Sequence, residues 1–293
     1  MRVRRYRYHL VGPGFGFFAI LVLTGCASAP LTQSGALSSY AELVRSDGLL
    51  THAKLRIDRE RLAAARSVKM APADISPEAR ASGLSEPQLQ LVANAVDRAL
   101  CSGLSDRFTV VEASDPADIS VRMTITYVGE TSVAASSASL AIGAGATVAG
   151  AITGLSIPTV RLPIGLGALS VEAEAKTSNS EQLAAITWSR GADVITARPR
   201  VSADADAYLL GKEFAADFTK LLVKGEDPMK NPLPALPTMR TFNEFLGKRA
   251  THKACERFGK NPGLNEAIGR AIGLPPGMTD AGGVPEAPSE TPQ

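Results

Sequence analysis

Histidine is almost missing from this chain, at 3 of 293 residues. His9 lies in the first 25 positions; His52 and His252 have no second histidine, cysteine pair or carboxylate at metal-ligand spacing and read as surface residues. HExxH, CxxC, GxSxG and a Gly-Lys-Ser/Thr phosphate loop are also absent, so the common zinc, thiol-redox, serine-hydrolase and nucleotide signatures have nothing to stand on. Glu172 and Glu174 alternate onto one strand face and read as solvated, and Asp204 and Asp206 sit where a helix dipole favours acids and read as caps. A carboxylate on a loop would escape such a scan, so catalysis stays open while the balance leans away from it, with no cofactor and no metal implied. Aromatics make up only 5% of the chain, which leaves the core to aliphatic side chains. With 31 basic against 29 acidic residues and no basic run, nucleic acid is not an expected partner.

Long apolar runs are equally scarce. The strongest, Leu10 to Leu23, is shorter than the roughly 20 residues a spanning helix needs. Arg2, Arg4, Arg5 and Arg7 precede it and Thr24-Gly25-Cys26 follows, the plan of a secretory signal peptide over residues 1–25. Leu23-Thr24-Gly25-Cys26 resembles the bacterial lipobox. That resemblance implies cleavage between Gly25 and Cys26, a diacylglyceryl group on the Cys26 sulfur, and a palmitate-type acyl group on the new amino terminus. A thiolate is the side-chain nucleophile suited to this step, and two acyl chains at roughly 0.8 kcal/mol per buried methylene hold a protein stably on a bilayer. The alternative is an ordinary cleaved signal peptide with Cys26 just past the cut. Ala27, where an aspartate would retain such proteins at the inner membrane, directs a lipoprotein of a Gram-negative host to the periplasmic face of the outer membrane.

Two cysteines remain, Cys101 and Cys255. In an oxidising compartment they pair or stay as buried free thiols; spacing alone does not decide between these. Residues 26–50 are small and polar and read as a lipid-anchored tether ending in a helical turn at Leu37, Tyr40 and Leu43. A charged stretch and a short strand stopped by Pro72 follow. Ser85, Pro87 and Gln88 open an amphipathic helix that Gly103 is expected to close. SVRMTITYV, LSVEAEAK and LAAITWSRG alternate as strands, the last two as a hairpin. A second helix begins near Ser202 and closes at Gly225. The order predicts an α+β domain over 51–226, a mostly antiparallel sheet with helices packed on one face. Beyond it, 227–272 reads as a linker and helical extension, with Thr241 and Glu244 as a capping box and a short helix near Leu264 to Ile272. Residues 273–293 read as a disordered tail.

Between Glu130 and Arg161 no residue is charged, and the insert 131–160 is built from Ala, Gly, Ser, Thr and Val. Gly150 and Gly154 form a GxxxG, with Gly143 and Gly145 nearby; small residues at this spacing permit close helix approach. The expectation is a long crossover with a Gly-rich turn packed on the domain. The alternative is a segment in which these glycines meet lipid or a neighbouring subunit.

SGALSSYAELV (Ser34–Val44), VKMAP (Val68–Pro72), PADISVRMTIT (Pro116–Thr126), the Gly/Ala-rich insert and SVEAEAKTSNSEQLAAITWSRG (Ser170–Gly191) resemble an uncharacterised family of bacterial lipoproteins, domain of unknown function 3313. The likeness spans about 31–225. Members often carry an acid in the hairpin turn where this chain has Thr177-Ser178-Asn179-Ser180, and the family implies no activity. The architecture is also similar to small α/β domains of outer-membrane assembly lipoproteins. These readings converge on a non-enzymatic envelope lipoprotein that binds another envelope protein, with a ring-forming secretion-type component, an envelope hydrolase or a carrier of a small apolar ligand as alternatives.

Overall fold

A computed structural model of the protein describes residues 29–31, 33–153, 161–194, 196–230, 246 and 250–282, with the side chains of 148–153 left outside the description. The elements are β1 (Val44–Arg45), β2 (Thr51–Ile57), α1 (Arg59–Ala64), β3 (Ser67–Met70), β4 (Asp74–Ile75), α2 (Pro77–Arg80), α3 (Glu86–Leu104), β5 (Thr109–Val110), β6 (Ile119–Gly129), α4 (Val133–Thr153), β7 (Ala168–Thr177), β8 (Gln182–Gly191) and α5 (Ala205–Lys224). A 3-10 turn (Lys253–Phe258), α6 (Gly263–Ala271) and α7 (Pro276–Thr279) complete them.

The strands form one sheet of order β1-β2-β8-β7-β6-β3-β5, with β4 also on β6. Pairing is antiparallel from β1 to β6 and parallel among β3, β4, β5 and β6. This is the expected α+β class. Period-two alternation puts Met123, Ala173, Ile186 and Trp188 on one side, where α3 and α5 cover them. Trp188 meets Phe214 of α5 edge-on at 5.6 Å, and its indole N–H donates to Asp217 at 2.9 Å.

Three local expectations change. The charged stretch, read without an element, forms β2 and α1, with Ala53 and Leu55 of β2 facing the core between their charged neighbours. Gly103 does not end α3, which runs on to Leu104; a Cβ there would stand 2.3 Å from the Thr219 hydroxyl of α5, so the glycine allows close helix approach. Gly225 does close α5, with φ +66°. The insert is no Gly-rich turn over its described part but the 21-residue helix α4, because Ala-rich sequence favours helix where nothing competes.

The C-terminal residues belong to the domain. Cys255 lies in the 3-10 turn and is disulfide-bonded to Cys101 of α3, with Cα atoms 5.8 Å apart. The short helix expected near 264–272 is α6, whereas Thr241 and Glu244 lie outside the described residues. Residues 273–282 are not a disordered tail: Asp280 is buried against Arg98 of α3 and accepts the Tyr208 hydroxyl of α5 at 2.6 Å. Glu266 pairs likewise with Lys212 and Arg200. Apolar content did not reveal this docking because ion pairs and a disulfide supply it.

Asp97 of α3 is buried, and both carboxylate oxygens accept from the Ala73 amide at 3.0 and 3.1 Å. Burial pushes its carboxyl up to about 7, against the pull of that amide and of Arg257 and Arg98. A raised carboxyl binds its proton more tightly folded than unfolded. Its contribution to stability is therefore full below about pH 4 and is lost as pH rises toward about 7. Asp97→Asn keeps an acceptor for Ala73 and removes the titration. The wild-type melting temperature should accordingly drop by several degrees relative to the variant between pH 5 and pH 8, read by circular dichroism.

Candidate functional site

The second face of the sheet is polar, and yet it is buried along β7 and β8. Ser170, Glu172 and Glu174 of β7 and Thr187 and Ser189 of β8 are all buried, Glu174 at 0% exposure. What covers them is the segment 29–41, which contains no charged residue and lies across β7. Ser170 Oγ donates to the Pro30 carbonyl at 2.7 Å. Glu172 accepts from the Ser34 amide (3.0 Å) and hydroxyl (2.7 Å), the Ala36 amide (3.3 Å) and the Tyr40 hydroxyl (2.6 Å). Glu174 accepts from the Ser38 amide (2.9 Å) and hydroxyl (2.6 Å), Gln182 (2.9 Å) and Arg122 (2.5 Å).

This corrects two expectations. Glu172 and Glu174 are not a solvated face, and residues 29–50 are not a free tether but a strap built into the fold. A buried carboxylate is tolerable only when its lone pairs are filled, and the strap fills them mostly with backbone amides and hydroxyls. Burial raises the Glu174 carboxyl, but the bonds from Ser38, Gln182 and Arg122 outweigh it and hold it down at about 2. Tyr40 is shifted the other way: burial and its bond to Glu172 keep the phenol protonated. The hydroxyls of Thr187 and Ser189 have no hydrogen-bond partner among the described residues.

An open cleft of about 700 Å³ runs along the β1–β2 edge, with Val44, Leu55, Arg56 and Asp227 in its lining. Two ion pairs lie in it, Arg56 with Glu42 at 3.0 Å and Lys230 with Asp227 at 3.6 Å. Asp206 is no helix cap: Arg161 grips it with two bonds of 2.6 Å, both side chains buried, and the Gly167 amide adds a third at 2.7 Å. Asp204 holds the cap position of α5 without a side-chain bond to the helix. Among the described residues no three His, Cys, Asp or Glu side chains converge on a metal position. His52 is exposed, 3.3 Å from Asp47, and His252 begins the 3-10 turn.

Gly25, Cys26 and Gly154 lie outside the described residues. Gly143, Gly145 and Gly150 lie on α4; Gly143 is buried against the domain, and a Cβ at Gly145 would meet nothing within 4 Å. Exposed large aliphatics among the described residues include Leu49 and Leu50 in the β1–β2 turn, Val133 and Ile142 on α4, Ile164 on the loop after it, and Leu264, Ile268 and Ile272 of α6.

The model of the family described as Protein of unknown function (DUF3313) matches residues 32–218. The chain belongs to this family. The match starts within the strap, so the strap is part of the family's domain, and it stops inside α5, which leaves the docked C-terminal segment outside. No curated protein matches the chain. Among solved structures, a PelC dodecamer from Paraburkholderia phytofirmans is similar at 10% identity and a TM-score of 0.33, over 59% of this chain and 97% of that one. A single-substitution PelC dodecamer from the same organism gives 12%, 0.28, 56% and 96%. Likeness at these TM-scores carries no argument about this chain's assembly or activity.

The strap should come loose when its carboxylates are removed. Each charge-assisted bond contributes about 1.5–3 kcal/mol, so Glu172→Ala should raise chymotryptic cleavage after Tyr40 about tenfold or more, read by mass spectrometry. Acid should act in the same direction. The stability that a depressed Glu174 supplies is present above its unfolded pKa and is lost as pH falls from about 4.3 toward about 2.

Proposed function

We propose that this protein is a lipid-anchored component of the cell envelope, held by Cys26 to the periplasmic face of the outer membrane of a Gram-negative host. Its role in this reading is to bind and position another envelope protein rather than to catalyse. The observation that supports it is the strap. The residues that directly follow the lipobox-like Leu23-Thr24-Gly25-Cys26 are those that fill Glu172 and Glu174. The chain from Cys26 to Pro30 spans at most about 14 Å, whereas a free tether of residues 26–50 would reach roughly 80 Å. A carrier that shuttles cargo needs the long reach. A scaffold held in fixed register with the bilayer needs the short one. The hydrolase and ligand-carrier alternatives call for an enclosed pocket with convergent polar groups, whereas the cleft beside β1 is open and two of its cations are held in ion pairs.

Metabolic labelling with a palmitate analogue, fractionation and in-cell cross-linking test this reading together. The wild-type protein should take the label, fractionate with the outer membrane and capture a discrete envelope protein. Cys26→Ala should appear unlabelled and folded in the periplasmic fraction and lose the capture. An unlabelled wild type, or a released variant that still captures the same protein, overturns the proposal.

A further inference from the structure

We propose that one rim of the sheet, together with the outer face of α4, is a seat for the lipid surface itself. This rests on the reading of Cys26 as lipidated.

The register defines the rim. Gly129 pairs with Ala168, Ala168 with Gly191, and Thr51 with Arg190, so the ends of β6, β7 and β8 and the β1–β2 turn lie together. The strap runs along β7 from this rim inward: Pro30 bonds Ser170, Ser34 bonds Glu172 and Ser38 bonds Glu174. Followed backward, the chain therefore heads off the sheet at the rim, and the four residues from Pro30 to Cys26 limit the acylated cysteine to about 14 Å from that point. Where the chain leaves the structure fixes which end of the domain faces the bilayer.

Exposed aliphatics occur at that end and along the helix that starts from it. Leu49, in the β1–β2 turn, is 97% exposed. Val133 (42%) and Ile142 (52%) lie on α4, which starts four residues beyond Gly129, and Ile164 (62%) lies on the return loop. The start of α4 is held at the rim by Thr131 N–H to Ala203 (2.8 Å) and Ser132 N–H to Gly165 (2.7 Å), and Arg161–Asp206 pins the return.

The packing of α4 is partly inverted. Its buried stripe is Ser136, Ser139 and Gly143, with Ser139 Oγ accepting the Leu162 amide at 3.0 Å. Its outward side carries Val133, Ala134, Ala138, Ala141 and Ile142 together with the hydroxyls of Ser137 and Thr147, while Leu140 packs inward beside Gly273. A helix facing water orients the other way, polar outward. Among the described residues no helix is long and apolar enough to cross a membrane; in the proposed seat α4 lies on the lipid surface.

The chemistry of the seat follows from its composition. No cation occurs from 131 to 160, so α4 itself offers nothing to anionic headgroups, and a few Ala, Val, Leu and Ile side chains bind a leaflet only weakly by themselves. The acyl anchor supplies the local concentration that makes the weak contact persist.

The test uses the full acylated chain in vesicles of phosphatidylethanolamine and phosphatidylglycerol. A maleimide-linked fluorophore is placed at Leu49→Cys, at Ile142→Cys and, at the opposite end of the sheet, at Asn179→Cys in the β7–β8 turn; quenching by shallow doxyl lipids is then measured. Cys101 and Cys255 are bonded to each other and do not compete for the label. Quenching should be at least roughly twofold greater at 49 and 142 than at 179. It should be unchanged when salt rises from about 0.1 to about 0.5 M or when phosphatidylcholine replaces phosphatidylglycerol. Equal quenching at all three sites in protein that floats with the vesicles overturns the seat and leaves the anchor standing. Loss of quenching in high salt overturns the apolar mode of contact. Failure of the acylated wild type to float overturns the anchor and the seat with it. Cross-linking between copies through position 142, without lipid quenching, would assign the face to a second copy and overturn the proposal.

Discussion

Two carboxylates that must be dry without being left unpaired govern this fold. Glu172 and Glu174 stand two residues apart on the central strand β7, and both are buried. Arg122 and Gln182 satisfy part of Glu174, but Glu172 takes its described bonds from the strap alone. An ionised group left without partners at such depth costs several kcal/mol, so the segment 29–41 is as much a part of the folded unit as a strand. The sheet is thus covered twice by different physics: aliphatic and aromatic packing under α3 and α5, oriented hydrogen bonds under the strap.

The same division recurs at the two other attachments. Arg161 and Asp206 bring the return from α4 against the start of α5 through a buried bidentate pair. Asp280 and Glu266 dock the C-terminal segment on α3 and α5 through Arg98, Tyr208, Lys212 and Arg200. Each is a polar contact between segments far apart in sequence. Such contacts contribute modestly to net stability but are specific in geometry, since removing either partner strands the other.

This contrast explains what the residues disclosed before the fold was seen. Alternation in β6, β7 and β8 and the three-four spacing of α3 and α5 are local signals, and the α+β class followed from them. So did the Gly225 cap. Glu172 and Glu174 were legible as one face, but period two says which residues share a face and not whether anything covers it. The cover is irregular and more than a hundred residues away; its faint trace was the spacing of Leu37, Tyr40 and Leu43. β2 was masked by Lys54 and Arg56, whose charges point away from a core that Ala53 and Leu55 enter. Asp280 sits among prolines and glycines and gives no sign that two buried groups on α3 and α5 await it.

The disulfide carries a consequence of a topological kind. Cys101 lies in the first long helix and Cys255 beyond the stretch that leaves α5, a separation of 154 residues. Any single backbone cut between them yields two polypeptides that remain one covalent molecule. A protease acting on the connection after α5 would therefore change the number of chains without changing the particle, and only a reductant would separate the pieces.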